Sequence, residues 1–89
     1  MLKPTYSTQF GKDIKRVKKR GKSQDKIKKI LKKLINEQQL PKSCKDHKLI
    51  GNYRGRRECN IEPDWLLIYK VSDTEIIFER TGSHSDLFE

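Results

Sequence analysis

The residues of this chain best equipped for chemistry lie in its second half: His47, Arg54, Arg56, Arg57, Glu58, Asn60, Asp64, Arg80 and His84. Together they offer two imidazoles, carboxylates and several guanidiniums. That set suits attack by an RNA 2′-hydroxyl on its adjacent phosphate. The reaction needs a base for the hydroxyl proton, an acid for the leaving 5′-oxygen and a cation for charge on the phosphorane. No metal or cofactor is required. Imidazole serves as acid or base because its unperturbed pKa, about 6.5, lies near neutrality.

Each residue also has an ordinary structural role open to it. His84 can be a surface histidine near the chain end, and His47 can bond a loop backbone. Asp64 follows Pro63, a usual turn pairing. Trp65 can pack its ring in the core or offer an edge for a base to stack on. Arg54, Arg56 and Arg57 can simply solubilise an edge strand. Cys44 and His47, with Cys59 and His84, contain the ligand types of a tetrahedral zinc site, but the second pair has no compact spacing. Two idle or buried thiols are the expectation, with no metal. No phosphate-cradling glycine loop or nucleophile motif is present.

Those residues must be positioned by elements that the periodicity predicts. "LKPTY" reads as an edge strand, since Pro4 cannot donate to a ladder. Ser7 or Thr8 can cap a helix carrying Phe10, Ile14 and Val17 on one face, ended by Gly21. Ser23 opens a second helix with the stripe Ile27, Ile30, Leu31, Leu34 and Ile35, broken before Pro41. Beyond residue 47 the period shortens. "NYRGRRECNI" reads as a strand, "EPD" as a turn, and "WLLIYKV" as a central strand apolar on both faces. "SDTE" forms a tight turn and "IIFERTG" the last strand, with a short tail or helical turn after it. The fold class is α+β, one domain over residues 1–89, in the order β-α-α-β-β-β. Two helices would cover one face of a small antiparallel sheet and leave the other open.

Composition narrows the partners. The chain has 89 residues, 33% apolar and 37% charged, with a net charge of +9. Residues 12–33 hold twelve Lys/Arg against two Asp, so they carry more than the whole net charge. Such a concentration points to a polyanionic partner such as RNA, with Lys28, Lys29, Lys32 and Lys33 as electrostatic contacts. A merely solvated helix face is the alternative. No apolar run approaches the roughly 18 residues that span a membrane. The N-terminus lacks the apolar block of a signal peptide, and a cytoplasmic setting is expected.

Three stretches occur in a family-like order: "KDHKLIG" (45–51), "RECNIEPDWLLIY" (57–69) and "FERTGSHSDLF" (78–88). Together they resemble the YafQ-type toxins of bacterial toxin–antitoxin systems, within the RelE/ParE superfamily. The resemblance covers the whole chain. It implies a ribosome-dependent endoribonuclease that cuts mRNA at the A site and is silenced by an acidic cognate antitoxin. The complex of the two would bind operator DNA through the antitoxin. By the same resemblance His84 is the general acid and His47 a catalytic residue and base candidate. Asp64 is a catalytic carboxylate beside a pocket residue, Trp65. Arg80 would stabilise phosphate charge, and Phe88 would shape the site. Asn60 stands where many relatives carry a third histidine; it can hydrogen-bond but cannot exchange a proton near neutral pH. The alternatives are a ParE-like gyrase-inhibiting toxin and a non-catalytic ribosome- or RNA-binding protein.

Overall fold

A computed structural model describes residues 1–88. The elements run β1 (Lys3–Tyr6), α1 (Thr8–Lys19), α2 (Gln24–Ile35), β2 (His47–Lys48), β3 (Arg57–Glu62), β4 (Trp65–Val71), β5 (Glu75–Gly82) and α3 (His84–Phe88). The sheet order is β1-β5-β4-β3-β2, which puts the all-apolar strand β4 in the middle.

Local chemistry sets the helix ends. Ser7 accepts the Phe10 N–H at 2.9 Å, so α1 begins on a side-chain cap, a feature usually worth about 1 kcal/mol. It ends at Gly21, which has a φ of 83°. The N–H of Lys22 reaches the Val17 carbonyl and that of Gly21 the Lys18 carbonyl, the paired closure that an αL residue permits. Ser23 stands at the start of α2 without donating or accepting a side-chain cap bond.

Three expectations change. The sheet is mixed rather than wholly antiparallel, because β1 pairs parallel to β5 from Lys3↔Glu75 to Tyr6↔Phe78. Strands β2 to β5 are linked by turns that force antiparallel pairing, whereas β1 reaches the sheet through two helices and is free of that constraint. Next, residues 52–56 are not strand. Gly51 and Gly55 have φ of 72° and 87°, which folds 51–53 into a 3₁₀ turn and delays β3 to Arg57. Finally, the second face of the sheet is not fully open. Leu66, Ile68 and Leu87 form a small core there, with Leu49 and Tyr53 packed against it. The larger core lies on the helix side, where Phe10, Val17, Ile27 and Leu34 meet Trp65, Leu67, Tyr69, Ile76 and Phe78.

Beyond Tyr6, β1 no longer covers β5, and α1 side chains take over its edge. The Ser7 hydroxyl donates to the Glu79 carbonyl at 2.7 Å. The fully buried Asp13 carboxylate accepts the Thr81 N–H at 3.1 Å. Backbone groups that would otherwise be buried unpaired are thereby satisfied.

Candidate active site

Strand register decides which polar residues share a face. Across four strands His47 pairs with Glu58, Glu58 with Ile68, and Ile68 with Arg80. A second row joins Asn60, Leu66 and Gly82. Ile68 and Leu66 belong to the small core away from the two long helices. His47, Glu58, Asn60 and Arg80 therefore share the face opposite those helices, since side chains alternate along a strand. Neighbouring strands lie about 4.8 Å apart, so three steps place His47 and Arg80 at opposite sides of a shallow platform.

At one corner of the platform stands His84. Its backbone N–H and ring Nδ1 lie 3.0 and 2.8 Å from the same oxygen of Asp64, on the β3–β4 turn. The Asp64 carboxyl is held below the ordinary carboxylate range, first by that N–H and then by the ring. With Asp64 ionised, Nδ1 must carry a hydrogen and donate it. Nε2 is then turned away from the carboxylate. The turn itself is braced from behind by Lys22 and Lys26, which donate to Glu62 at 2.8 and 2.7 Å; those ammonium groups lower the Glu62 carboxyl to about 2.

Arg80 is anchored rather than loose. Its Nε donates to Asp13 at 2.8 Å, and one terminal nitrogen lies 3.5 Å from the Asp86 carbonyl. The Asp13 bond raises the guanidinium further above its ordinary value, so Arg80 is a fixed cation. Phe88 stacks near His84, ring centroids 6.2 Å apart, and meets Tyr53 edge-on at 5.6 Å. The Tyr53 hydroxyl donates to the Leu87 carbonyl at 3.1 Å, tying the 3₁₀ turn to α3.

His47 occupies the opposite edge. Its Nδ1 lies 2.6 Å from the Lys45 carbonyl, which can only accept. Nδ1 therefore bears a hydrogen, and Nε2 is the atom left free to exchange a proton. That atom faces the Glu58 carboxylate at 3.6 Å. Glu58 is 6% exposed, and its Oε2 has no hydrogen-bond partner among the described residues.

Two of the expected pocket residues belong elsewhere. Trp65 is 1% exposed, and its indole N–H donates to Thr81 Oγ1 at 2.9 Å. It is a core residue and presents no surface for a base. Arg57 lies on the helix side of β3, opposite Tyr69, and its Nε donates to Asp46 at 3.2 Å. Arg54 is exposed in the loop before β3. Lys28, Lys29, Lys32 and Lys33 lie on α2, remote from the platform. Cys44 and Cys59 are buried in the main core as free thiols, and burial pushes both upward in pKa. Among the described residues no group of three or more His, Cys, Asp or Glu is placed to hold a metal.

Three contributors were hidden in the sequence. Asp13 occupies a core position between Phe10 and Val17 on α1, and a lone acid within an apolar stripe is a readable signal. Tyr53 sits in a segment whose turn conformation depends on two glycines. Asp86 looks like any surface acid until its partner on α1 is known.

Residues 2–89 match the family described as bacterial toxin of type II toxin-antitoxin system, YafQ. The mRNA interferase toxin YafQ of Escherichia coli K12 is 48% identical over 84 residues, covering 93% of this chain and 91% of that protein. The crystal structure of YafQ from Escherichia coli BL21(DE3) superposes with a TM-score of 0.95 at 43% identity, covering all of both chains. The YafQ chain in the Escherichia coli DinJ–YafQ toxin–antitoxin complex gives 0.92 at 45% identity, over 99% of this chain and 98% of that one. No helix here is long and apolar enough to cross a membrane. This chain belongs to the YafQ family of toxins from bacterial type II toxin–antitoxin systems.

Proposed function

We propose that this toxin is an mRNA interferase: a ribosome-dependent endoribonuclease that cleaves mRNA at the A site by 2′-hydroxyl attack. The observation that carries the reading is His84 held by Asp64 on the face that also bears Arg80, Glu58 and His47. Asp64 fixes the ring so that a protonated Nε2 points outward as general acid. His47 presents an Nε2 lone pair as general base, and Glu58 stabilises the imidazolium that forms.

In the reaction the 2′-oxygen loses its proton to His47 Nε2 and bonds to phosphorus. The bond from phosphorus to the 5′-oxygen breaks, and that oxygen takes the proton from His84 Nε2. Arg80 offsets charge on the phosphorane. The products are a 2′,3′-cyclic phosphate and a 5′-hydroxyl, and neither proton transfer calls for a metal. The unpartnered Oε2 of buried Glu58 favours a second reading, in which Glu58 takes the proton and His47 holds it in place.

The cationic helices lie across the sheet from this platform. They would engage ribosomal RNA while the platform faces the mRNA. An acidic antitoxin is the partner that fits the chain's charge, and its complex with the toxin would reach operator DNA through the antitoxin. The test is induced expression with primer extension of cellular mRNA, beside the His84→Ala variant. In-frame cuts ending in cyclic phosphate, absent in the variant, are expected. Growth arrest with intact mRNA would instead indicate gyrase inhibition or passive ribosome binding.

A further inference from the structure

The least self-supporting part of this platform is α3. Five residues cannot hold a helix on their own, so the place of His84 and Phe88 depends on what grips them. Asp86 makes several of those contacts. Its carboxylate accepts the Ser83 N–H at 2.9 Å, while Ser83 Oγ accepts the Asp86 N–H at 3.2 Å. This reciprocal cap satisfies two free donors at the helix start. The same carboxylate takes two bonds from the Arg20 guanidinium of α1, at 2.6 and 3.0 Å, and Arg16 Nε lies 3.8 Å away. It folds so closely over Gly82 that a Cβ there would come within 2.7 Å of a carboxylate oxygen. Meanwhile the Asp86 carbonyl lies within reach of Arg80. One residue thus joins the end of β5, the start of α3 and the last turn of α1, two positions after His84.

We propose that Asp86, clamped by Arg20, is a positioning residue for phosphodiester cleavage, fixing α3 so that His84 and Phe88 meet the substrate in a single arrangement. The inference rests on the reading of His84 as general acid. Its physical basis is the contrast between two tethers. The His84–Asp64 pair is well exposed, at 61% and 68% of side-chain surface, and exposed pairs constrain little. The Arg20–Asp86 pair is bidentate, with Arg20 46% and Asp86 only 11% exposed; a guanidinium fork fixes direction as well as distance. The Arg20 guanidinium holds the Asp86 carboxyl well below the usual range, so the clamp persists across neutral pH. Displacing a catalytic group by about 1 Å can cost around 100-fold in rate.

The test uses the whole toxin in single-turnover cleavage of mRNA on programmed ribosomes, with toxin in excess. Asp86→Ala, Asp86→Asn, Arg20→Ala, Arg20→Lys and the double variant Arg20→Ala/Asp86→Ala are compared with His84→Ala. Asp86→Ala should lower the maximal rate about 10- to 100-fold, with the half-saturating toxin concentration unchanged. Asp86→Asn, which keeps the cap acceptor but not the ion pair, and Arg20→Lys, which keeps the charge but not the fork, should each recover only part of the loss. Adding Arg20→Ala to Asp86→Ala should cost nothing further, because coupled residues are not additive. The cross-peak between the His84 and Phe88 rings in NMR spectra should weaken in Asp86→Ala while core amides stay in place. Should Asp86→Ala fail to fold, Arg20→Ala carries the same expectation from an exposed position. A wild-type maximal rate in both Arg20→Ala and Asp86→Ala beside an inactive His84→Ala would overturn the clamp alone. A fully active His84→Ala would overturn the reading beneath it.

Discussion

Asp64 receives two hydrogen bonds from His84, one from the backbone N–H at 3.0 Å and one from ring Nδ1 at 2.8 Å. A turn residue thereby sets which ring nitrogen of a histidine twenty residues away carries the hydrogen. His84→Ala should lower single-turnover cleavage by about 10²- to 10⁴-fold, the usual worth of a positioned acid. Asp64→Ala should cost less, about 10-fold, because α3 keeps its other tethers. Urea unfolding of both variants should resemble that of wild type, since both side chains are exposed. Normal cleavage by His84→Ala would remove it from the mechanism.

The same contact has a defined pH window. The Asp64 carboxyl is depressed in the folded state. The stabilisation it contributes is therefore complete above the unfolded carboxylate value of about 3.9 and is lost as pH falls through the lower folded value. Its grip on His84 should survive throughout pH 5.5–8.5 and fade only in acid. The NMR carboxyl resonance of Asp64 should be flat across the neutral range. A titration midpoint above 5 would contradict the geometry.

Asp13 is a structural rather than a chemical liability. Its fully buried carboxylate accepts from Arg80, Arg16, Gln9 and the Thr81 N–H. Asp13→Ala leaves the part-buried Arg80 guanidinium with only the Asp86 carbonyl, 3.5 Å away, and the buried Thr81 N–H without its acceptor. The expected loss is about 3–5 kcal/mol of unfolding free energy, read from chemical denaturation. A change below 1 kcal/mol would mean that the neighbouring groups find other acceptors.

Much of the fold was legible because its elements are locally consistent. The stripe Ile27, Leu34 and the continuous run Trp65–Tyr69 each have one period and one environment, and both took the expected form. The 52–56 segment misled because its strand-like residues are overruled by two left-handed glycines. The orientation of β1 was open because nothing local distinguishes parallel from antiparallel pairing. In the site, histidines and the turn aspartate announced themselves by type. Trp65 was expected in the pocket from the family resemblance and Arg57 from its charge, yet alternation along β3 and β4 turns both toward the helices. Asp86 could not be found without Arg20, because an ion pair spanning 66 residues leaves no trace in either neighbourhood.

The lysines of α2 offer a separable test of ribosome binding. Lys28, Lys29, Lys32 and Lys33 enter no ion pair among the described residues, and three of the four are exposed. Replacing all four by Glu should weaken ribosome binding and flatten the dependence of log affinity on log salt, by about 0.7–0.9 per lost phosphate contact. The stability of the isolated domain should change little. An unaltered salt slope in filter-binding titrations would show that this face is only solvated.

The remaining prediction concerns the base. Asp64 is occupied by two donors from His84 and sits below the ordinary carboxylate range, which makes it a poor proton acceptor. His47 donates its Nδ1 hydrogen to the Lys45 carbonyl, which leaves Nε2 to exchange a proton. That nitrogen faces Glu58 at 3.6 Å, and the other oxygen of Glu58 is buried and unpartnered. If His47 is the base, His47→Ala should be nearly as damaging as His84→Ala, because Asn60 leaves no third imidazole on this face to substitute. Glu58→Gln should then cost only the electrostatic support of the imidazolium, about 10-fold or about 1.4 kcal/mol of barrier. If Glu58 takes the proton itself, the order reverses: Glu58→Gln becomes the severe variant and His47→Ala the mild one. Asn60→His, by register beside Leu66 and Gly82, should leave cleavage equal or up to about 10-fold faster. Single-turnover rates for these variants across pH 5.5–8.5 make the assignment. An active His47→Ala and an active Glu58→Gln together would remove both candidates and return the base to Asp64 or to solvent.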